Sequence, residues 1–329
     1  MLPPPSSPRD VGAGTSIRPM SWRDIADAAR VVRMAFEAVS PPDRATLTPP
    51  GGEEKMLVDW LQRVPDGVFV ARDGGQVLGS AVAYRWGAFG LLGPVSVHPS
   101  FWGRGIGSQL MDRCLRVFAQ WGCTHVELYT YLHSPRHVAF FRKCGFSPHS
   151  PHLLLSHEVA PSPPPPPRAL LSPLLAGRRA LVVAEIRDLT GQIFPGLSLD
   201  EEIQARRSPQ SEVLILRQNG RLSAFALCDL REASDPSTSG TRTCHIKFAA
   251  ALPSEESQDA FPEMLGLCRA FAASQGCARI STGLGAARRH AARLCRMEDW
   301  RVDAEVLGMT LHGREGISRE SDLIFSDWG

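Results

Sequence analysis

Apolar residues in the first part of the chain follow a helical period and then a strand period. Residues 24–39 and 53–61 place apolar side chains three and four positions apart, which predicts two amphipathic helices. The apolar runs 68–71 and 77–84 flank the turn Asp73-Gly74-Gly75 and predict a β-hairpin. The sequence therefore predicts two helices followed by a sheet.

A further strand, helix and strand surround a glycine-rich segment. The apolar run 91–97 stops at His98-Pro99 and predicts a strand, and the run 126–131 predicts another. Between them, a helix ending at Gly122 is predicted by an apolar face of Ile106, Leu110, Met111, Cys114, Leu115 and Phe118. Strands that alternate with helices in this way are typical of an α/β domain.

Proline-rich segments divide the chain into two parts. Residues 161–167 form a polyproline run that can continue neither a helix nor a sheet, so we predict a linker over residues 159–168. Residues 1–14 are rich in Pro, Ser and Gly and are predicted to be disordered. The two remaining segments, 15–158 and 169–329, each have the length of an ordinary domain.

The second segment repeats features of the first at a separation of about 150 residues. Residues 218–222 echo residues 73–77, and residues 274–277 echo residues 120–123. We infer a duplicated domain. The stretch 254–258 contains no glycine, so the second copy is predicted to be degenerate and to lack the glycine-rich turn of the first.

Composition and charge are those of a globular protein that binds neither nucleic acid nor membranes. Of 329 residues, 43% are hydrophobic and 21% charged, and the formal net charge is +2. The sequence contains no long block of lysine or arginine, so charge gives no reason to expect a nucleic-acid or membrane partner. The first residues lack a secretory signal, and no stretch reaches the roughly 18 apolar residues of a membrane helix. We expect a cytoplasmic protein.

The eight cysteines stand singly in apolar stretches, without a C-x-x-C pair or zinc-like spacing. Cysteines in such surroundings behave as small hydrophobic residues, so they are predicted to be reduced residues of the core. No metal site is expected.

The segment Trp102-Gly103-Arg104-Gly105-Ile106-Gly107-Ser108 carries the main chemical signal. The first N–H groups of the helix that follows have no internal partner and lie at the positive end of its dipole. Alternating glycines let this backbone approach a phosphate, and Arg104 can add a charge-assisted contact to a pyrophosphate. A glycine turn of structural use only is the alternative. A dinucleotide site is disfavoured, because several elements precede this loop.

The chain resembles the GNAT superfamily of N-acyltransferases at this point. The resemblance lies in Val95-Ser96-Val97-His98-Pro99, the glycine-rich segment 103–108, and residues 134–146 with their ending Lys143-Cys144-Gly145-Phe146. Further segments, Gly93-Pro94-Val95, 102–105, 133–138 and Ser326-Asp327-Trp328, resemble a group of bacterial proteins with two GNAT domains in tandem. The resemblance implies two GNAT-like α/β domains, each with a mixed, mostly antiparallel sheet flanked by helices.

The resemblance also implies which residues contact acetyl-CoA or another acyl-CoA. The backbone of Val95, Ser96 and Val97 would pair with the pantetheine arm as an added strand would. The pyrophosphate would bind the backbone amides of Gly103, Arg104, Gly105, Ile106, Gly107 and Ser108. Ser134 stands where the family usually has an asparagine that contacts the cofactor. Phe141 stands where it usually has a tyrosine near the thioester sulfur.

Phe141 departs from the family pattern, because a phenyl ring cannot protonate a leaving thiolate. Tyr129 and Tyr131 share one face of a predicted strand with Glu127, since side chains two positions apart point the same way. A phenol there could donate to the thiolate, and Glu127 or His133 could take the amine proton. The alternative is that both tyrosines pack against a neighbouring helix.

The resemblance implies transfer of an acyl group from acyl-CoA to a primary amine of a small molecule or a peptide, by direct attack in a ternary complex. An acyl-CoA sensor or scaffold without turnover is the alternative that the absence of the usual tyrosine favours. A pair of purely structural interaction domains is a third hypothesis, disfavoured because three glycines cost stability unless a ligand uses them. A homodimer is compatible with the sequence.

Overall fold

The computed structural model describes residues 14–39, 52–205, 210–232, 242–251, 257–314 and 317–326. The N-terminal segment predicted to be disordered lies outside the described residues except for Gly14, and so does most of the glycine-free stretch 254–258.

The chain forms two compact units. Unit 1 comprises Met1–Pro148 with Met309–Arg314, and unit 2 comprises His149–Gly308 with Glu315–Gly329. The division lies inside a strand and not in the proline-rich run 159–168. The physical reason is strand pairing: residues 152–158 pair with a strand of unit 2, so the chain enters that unit before it reaches the prolines.

Unit 1 is a mixed sheet with helices on both faces. Its elements are β1 (Thr15–Pro19), α1 (Ile25–Glu37), α2 (Glu53–Arg63), β2 (Val68–Asp73), β3 (Gln76–Trp86), β4 (Phe89–Val97), α3 (Ile106–Gln120), β5 (His125–Tyr131) and α4 (Pro135–Lys143). The strands lie in the order β1-β2-β3-β4-β5. The first three pairings are antiparallel, and β4 and β5 are parallel.

Side-chain contacts show which helix covers which face of this sheet. A side chain at Gly90 of β4 would meet Phe118 of α3 at 2.7 Å, so α3 covers that face. On the opposite face, the rings of Trp60 of α2 and Tyr84 of β3 lie 4.1 Å apart. The helical period of α1 and α3 and the glycine turn of the β2–β3 hairpin are as the sequence predicts.

A buried carboxylate joins β1, α1 and β2. Asp24 accepts hydrogen bonds from Ser21 N and Oγ at 2.8 and 2.6 Å, and it pairs with Arg18 at 2.8 Å and with Arg72 at 2.5 Å. Burial by itself raises the pKa of Asp24, but the hydrogen bonds from Ser21, Arg18 and Arg72 outweigh it and lower the pKa to about 2. The carboxylate is therefore ionised at neutral pH.

Unit 2 repeats the order of elements of unit 1. Its elements are most of β6 (Phe146–Glu158), α5 (Ala176–Ile193), α6 (Asp200–Ala205), β7 (Ser211–Gln218), β8 (Arg221–Glu232), β9 (Arg242–Ala251), α7 (Ser257–Ser274), β10 (Cys277–Gly285), α8 (Arg289–Met297), most of β11 (Arg301–Leu311) and β12 (Ile324–Ser326). The strand order is β11-β6-β10-β9-β8-β7, and β12 pairs with β9. The predicted fold class, a mostly antiparallel mixed sheet with flanking helices, is confirmed.

The cysteines are free thiols, and all but Cys144 are buried. Burial raises the pKa of Cys123 and of Cys144 to about 11, so both are protonated at neutral pH. Within the described ranges, no group of three or more His, Cys, Asp or Glu side chains could hold a metal ion. The helices that the structure describes include none long and apolar enough to cross a membrane.

Candidate functional site

Strands β4 and β5 pair at their beginnings and then separate. Residues 89–92 of β4 pair with 125–128 of β5, and no later pair between them occurs among the described pairings. On its other edge β4 stays paired with β3, and it carries one extra residue between Leu92 and Val95. Such a β-bulge bends the strand that carries it. No described strand pairs with the edge of Val95, Ser96 and Val97 that would face β5, and Val97 O on this edge accepts from the Trp102 side chain. Another chain of amides can therefore pair along this edge.

The glycine-rich loop follows directly from this edge. Gly103 and Gly105 adopt φ of 81° and 80°, a left-handed conformation that favours glycine. Helix α3 begins at Ile106, and its first turn closes with a hydrogen bond from Gln109 N to Gly105 O at 3.2 Å. The N–H groups of residues 106–108 precede the first such bond and have no acceptor within the helix. No acidic side chain lies in this turn, so the helix start favours an anion.

Gly107 allows α3 and α4 to approach each other. A Cβ atom at this position would lie 3.1 Å from Cζ of Phe140 on α4. That distance is shorter than an ordinary van der Waals contact, so any larger residue must displace the ring. The third glycine of the loop is therefore required for packing as well as for access to the backbone.

Two arginines flank the loop over aromatic rings. The indole N–H of Trp102 donates to Val97 O at 2.7 Å and ties the loop to the end of β4. The guanidinium of Arg136, on α4, lies 4.3 Å above the Trp102 ring, and that of Arg104 lies 5.0 Å from the Phe101 ring. The sequence favours a solvated Arg136 on the helix after Ser134, close enough to the cleft to be a candidate. Its stacking on Trp102 places a second cation beside the start of α3.

Ser134 and Phe141 lie at the two ends of α4. Ser134 precedes the helix, and its Oγ lies 2.7 Å from Nδ1 of His137. Burial lowers the pKa of His137, and the positive charges of Arg136 and His133 lower it further. Phe141 is buried, with its ring centroid 5.1 Å from Phe140 and 6.3 Å from Phe146. Phe141 thus packs among rings and offers no acidic proton.

A row of polar side chains follows one face of β5. Tyr129 OH donates to Glu127 Oε1 at 3.0 Å, and Glu127 Oε2 lies 3.7 Å from Nε2 of His125. His125 and Glu127 are buried, at 2% and 8% exposure. Sequence reasoning missed His125, although the two-residue period that joins Glu127 to Tyr129 also includes it. Burial strengthens the interaction between this carboxylate and phenol.

Tyr131 completes the row but makes aromatic contacts. Its ring centroid lies 6.3 Å from that of Phe36 on α1 and 5.4 Å from that of His133. The row therefore faces the α1 side of the sheet, with Tyr129 and Tyr131 beyond Leu128, the last β5 residue that pairs with β4. The structure brings Glu127 and Tyr129 together and places Tyr131 against a helix, the alternative that the sequence left open.

A family model and a curated relative each match part of this chain. Residues 33–146 match the sequence model of the acetyltransferase (GNAT) family. The chain is 27% identical over 153 residues to mycothiol acetyltransferase of Propionibacterium freudenreichii subsp. shermanii, a match that covers 44% of this chain. The chain thus covers 47% of the length of that curated relative.

Two solved structures share the fold over nearly the whole chain. A proposed acetyltransferase of Pyrococcus horikoshii is 14% identical, with a TM-score of 0.66 and 98% of both chains covered. A GCN5-related N-acetyltransferase of Sphaerobacter thermophilus is 16% identical, with a TM-score of 0.58, covering 94% of this chain and 99% of its own. At these identities the likeness is one of fold.

Proposed function

We propose that this chain, which contains a domain of the acetyltransferase (GNAT) family, transfers an acetyl or similar acyl group from acyl-CoA to a primary amine. One observation carries the proposal: the unpaired edge of β4 leads directly into a helix start with three available N–H groups and no acidic side chain. A strand-like amide chain that ends in a pyrophosphate fits both features at once. Acyl-CoA has this chemistry, and the family match supports it as donor.

In this proposal the unit 1 backbone holds the donor. Residues 95–97 pair with the amides of the pantetheine arm, as one strand pairs with another. The N–H groups of residues 106–108 bind the pyrophosphate at the positive end of the α3 dipole. Arg104 and Arg136, both exposed, supply charge-assisted contacts to the phosphates. Ser134, which directly precedes α4, is the proposed side-chain contact to the donor.

The chemical step is a direct attack of the amine nitrogen on the thioester carbonyl. The C–N bond forms, the C–S bond breaks, and CoA leaves as a thiolate that takes a proton. A backbone N–H of residues 95–97 polarises the carbonyl oxygen as charge develops. Glu127 accepts a proton from the amine, directly or through Tyr129, and the phenol of Tyr129 can donate to the thiolate. Tyr131 has a supporting role at the edge of this row.

A second candidate function is binding of acyl-CoA without turnover, as a sensor or scaffold. The observation that favours it is Phe141, whose ring packs against Phe140 and Phe146 where the family usually has a tyrosine. A thiol has a pKa of about 8.5, so a thiolate leaves without an obligatory acid, and positioning alone accelerates the reaction. We therefore favour the transferase.

The test combines calorimetric titration with acetyl-CoA and an assay of CoA thiol release. The assay uses a panel of peptides, polyamines, aminoglycosides and amino acids, because both small-molecule and peptide amines are candidate acceptors. Binding followed by CoA release with one class of amine supports the transferase and identifies its acceptor. Binding without release across the panel supports the sensor. A protein that binds no acetyl-CoA would overturn both.

A further inference from the structure

Unit 2 contains a strand edge with the same geometry as the donor-binding edge proposed in unit 1. Strands β9 and β10 are parallel and pair from Arg242 to Ile246 on β9. Beyond Ile246, β9 carries one extra residue relative to β8, whose Cys228 and Leu227 pair with Ile246 and Phe248. In unit 1 the bulge of β4 also lies directly after the last pair with β5. Counted from the last pair with the parallel neighbour, residues 249–251 of β9 therefore correspond to residues 95–97 of β4.

The chain itself occupies this edge in unit 2. Strand β12 runs antiparallel to β9, with Ile324 opposite Ala250, Phe325 opposite Ala249 and Ser326 opposite Phe248. Ala251 N extends the pairing by donating to Leu323 O at 3.1 Å. Residues 249–251 thus have backbone partners on both edges, with β8 on one side and residues 323–325 on the other.

A buried arginine holds this strand in place. Arg288, which is 2% exposed, donates from one Nη to Ile324 O and to Ser326 Oγ, both at 2.9 Å. Its Nε and other Nη donate to Ile317 O at 3.0 and 2.8 Å. Arg288 precedes α8 as Ser134 precedes α4. The residue before the helix thus contacts the strand in unit 2 at the place where its counterpart would contact the donor in unit 1.

Aromatic packing fixes the middle of the strand. Phe325 is fully buried, with its ring centroid 5.1 Å from that of Phe261 on α7 and 5.5 Å from that of Trp300. His152 of β6 is buried beside Arg288 and hydrogen-bonds to the backbone of Ser326. The segment is therefore held by backbone pairing, by a buried cation and by an apolar anchor.

We propose that residues 317–326 form a resident strand, which takes in unit 2 the place that acyl-CoA takes in unit 1. The chain consequently binds one acyl-CoA, in unit 1 only. The second statement rests on the proposed function, whereas the first rests on the contacts of unit 2 alone. The two statements are therefore tested in separate experiments.

The first experiment tests the resident strand in the folded full-length chain. A protease site replaces residues 315–316, and the purified protein is cleaved after folding. We expect the fragment from Ile317 onward to stay bound on size exclusion and to exchange with a labelled synthetic peptide of residues 317–326. Arg288→Met should weaken the peptide at least about 100-fold, because four charge-assisted bonds are lost. Arg293→Met, an exposed position on the same helix, is the control. A fragment that leaves while unit 2 stays folded would overturn the proposal.

The second experiment is the stoichiometry of acetyl-CoA binding by calorimetry. We expect one equivalent for the wild type and none when Gly105 and Gly107 are replaced by valine. Two equivalents, or one that survives the glycine substitutions, would show that unit 2 binds the donor and would overturn the inference. Absence of binding by the wild type would refute the proposed function instead, and the peptide exchange would then decide the role of residues 317–326.

Discussion

Strand β4 of unit 1 and strand β9 of unit 2 share a parallel neighbour, a bulge and a following helix, yet they end in different surroundings. Among the described residues, β4 pairs past its bulge with β3 alone, whereas β9 pairs with both β8 and β12. Helix α3 has no acidic residue in its first turn, and α7 has Asp259. The same backbone position can therefore hold a ligand or become part of the core, depending on whether a segment of the chain pairs with it.

The largest effect is expected from the glycines that distinguish unit 1. Gly105→Val combined with Gly107→Val should weaken acetyl-CoA binding by at least about 100-fold, measured by calorimetry. Position 105 has a left-handed φ of 80°, and a side chain at 107 collides with Phe140. The matched control is Gly220→Val in the β7–β8 turn of unit 2, at φ 79°, which carries the same strain. Equal losses in both variants would assign the effect to stability.

A carboxylate in the first turn should make α3 resemble α7. Ser108 is exposed in that turn, and Ser108→Asp places a negative charge where the pyrophosphate is proposed to bind. We expect a loss of affinity of about 30-fold, and a thermal midpoint at least as high as that of the wild type, because the acid interacts favourably with the helix dipole. Ser108→Asn introduces a side chain with the shape of aspartate but no charge, and this variant should bind acetyl-CoA nearly as the wild type does. Unchanged affinity in the aspartate variant would contradict the anion site.

The polar row of β5 should affect turnover and not donor binding. Glu127→Gln and Tyr129→Phe are each expected to lower kcat by about 10-fold, since each removes one group of the hydrogen-bonded pair. The KM for acetyl-CoA should stay within about 2-fold in both variants. Tyr84→Phe removes a phenol that stacks on Trp60 and serves as the control. A normal kcat in both β5 variants would exclude the row from the reaction.

Mild acid should distinguish the two units by stability. Burial and the charge of Arg288 lower the pKa of His152 to about 3, so unit 2 keeps this ring neutral. The unfolded chain, with an ordinary histidine pKa of about 6.5, binds the extra proton, so stability falls as pH drops below about 6.5, by about 1 kcal/mol per pH unit. The lowered pKa of Asp24 stabilises unit 1 in a different pH range. That contribution is lost only as pH falls from about 4 towards 2.

Hydrogen exchange of β12 and of β1 amides between pH 5 and 7, corrected for intrinsic rates, measures this difference. We expect the protection of β12 to decrease with acid more steeply than that of β1, although the lowered pKa of His137 gives unit 1 a dependence of the same sign. His152→Gln should remove the dependence in β12. If protection changed with pH equally in both strands of the wild type, His152 would not be the group that makes unit 2 sensitive to acid.

Local patterns predicted most of unit 1. The helical period before residue 39, the hairpin around Gly74 and the helix after Gly105 depend on neighbours in sequence, and a single chain displays them. The glycine-rich loop was also predicted, because its chemistry requires a residue type. The roles given to Tyr129, Tyr131, Glu127 and the donor-contacting residues stay predictions.

Pairing between distant segments could not be read from the sequence. Strand β12 is three residues long, too short for a period, and its partner lies more than seventy positions earlier. Arg288 would be assigned to the surface, because arginine is seldom buried unless it is paired. The division between the units lies within β6 for the same reason, since its pairing with β10 outweighs the local signal of the prolines.

Peptide-resolved hydrogen exchange with and without acetyl-CoA is the most direct test of the central claim, that unit 1 binds the donor and unit 2 does not. We expect new protection at the amides of residues 95–97 and 106–108, and no change at residues 249–251, which already have backbone partners among residues 323–325. Protection that appears at residues 249–251, or none at residues 106–108, would contradict the account.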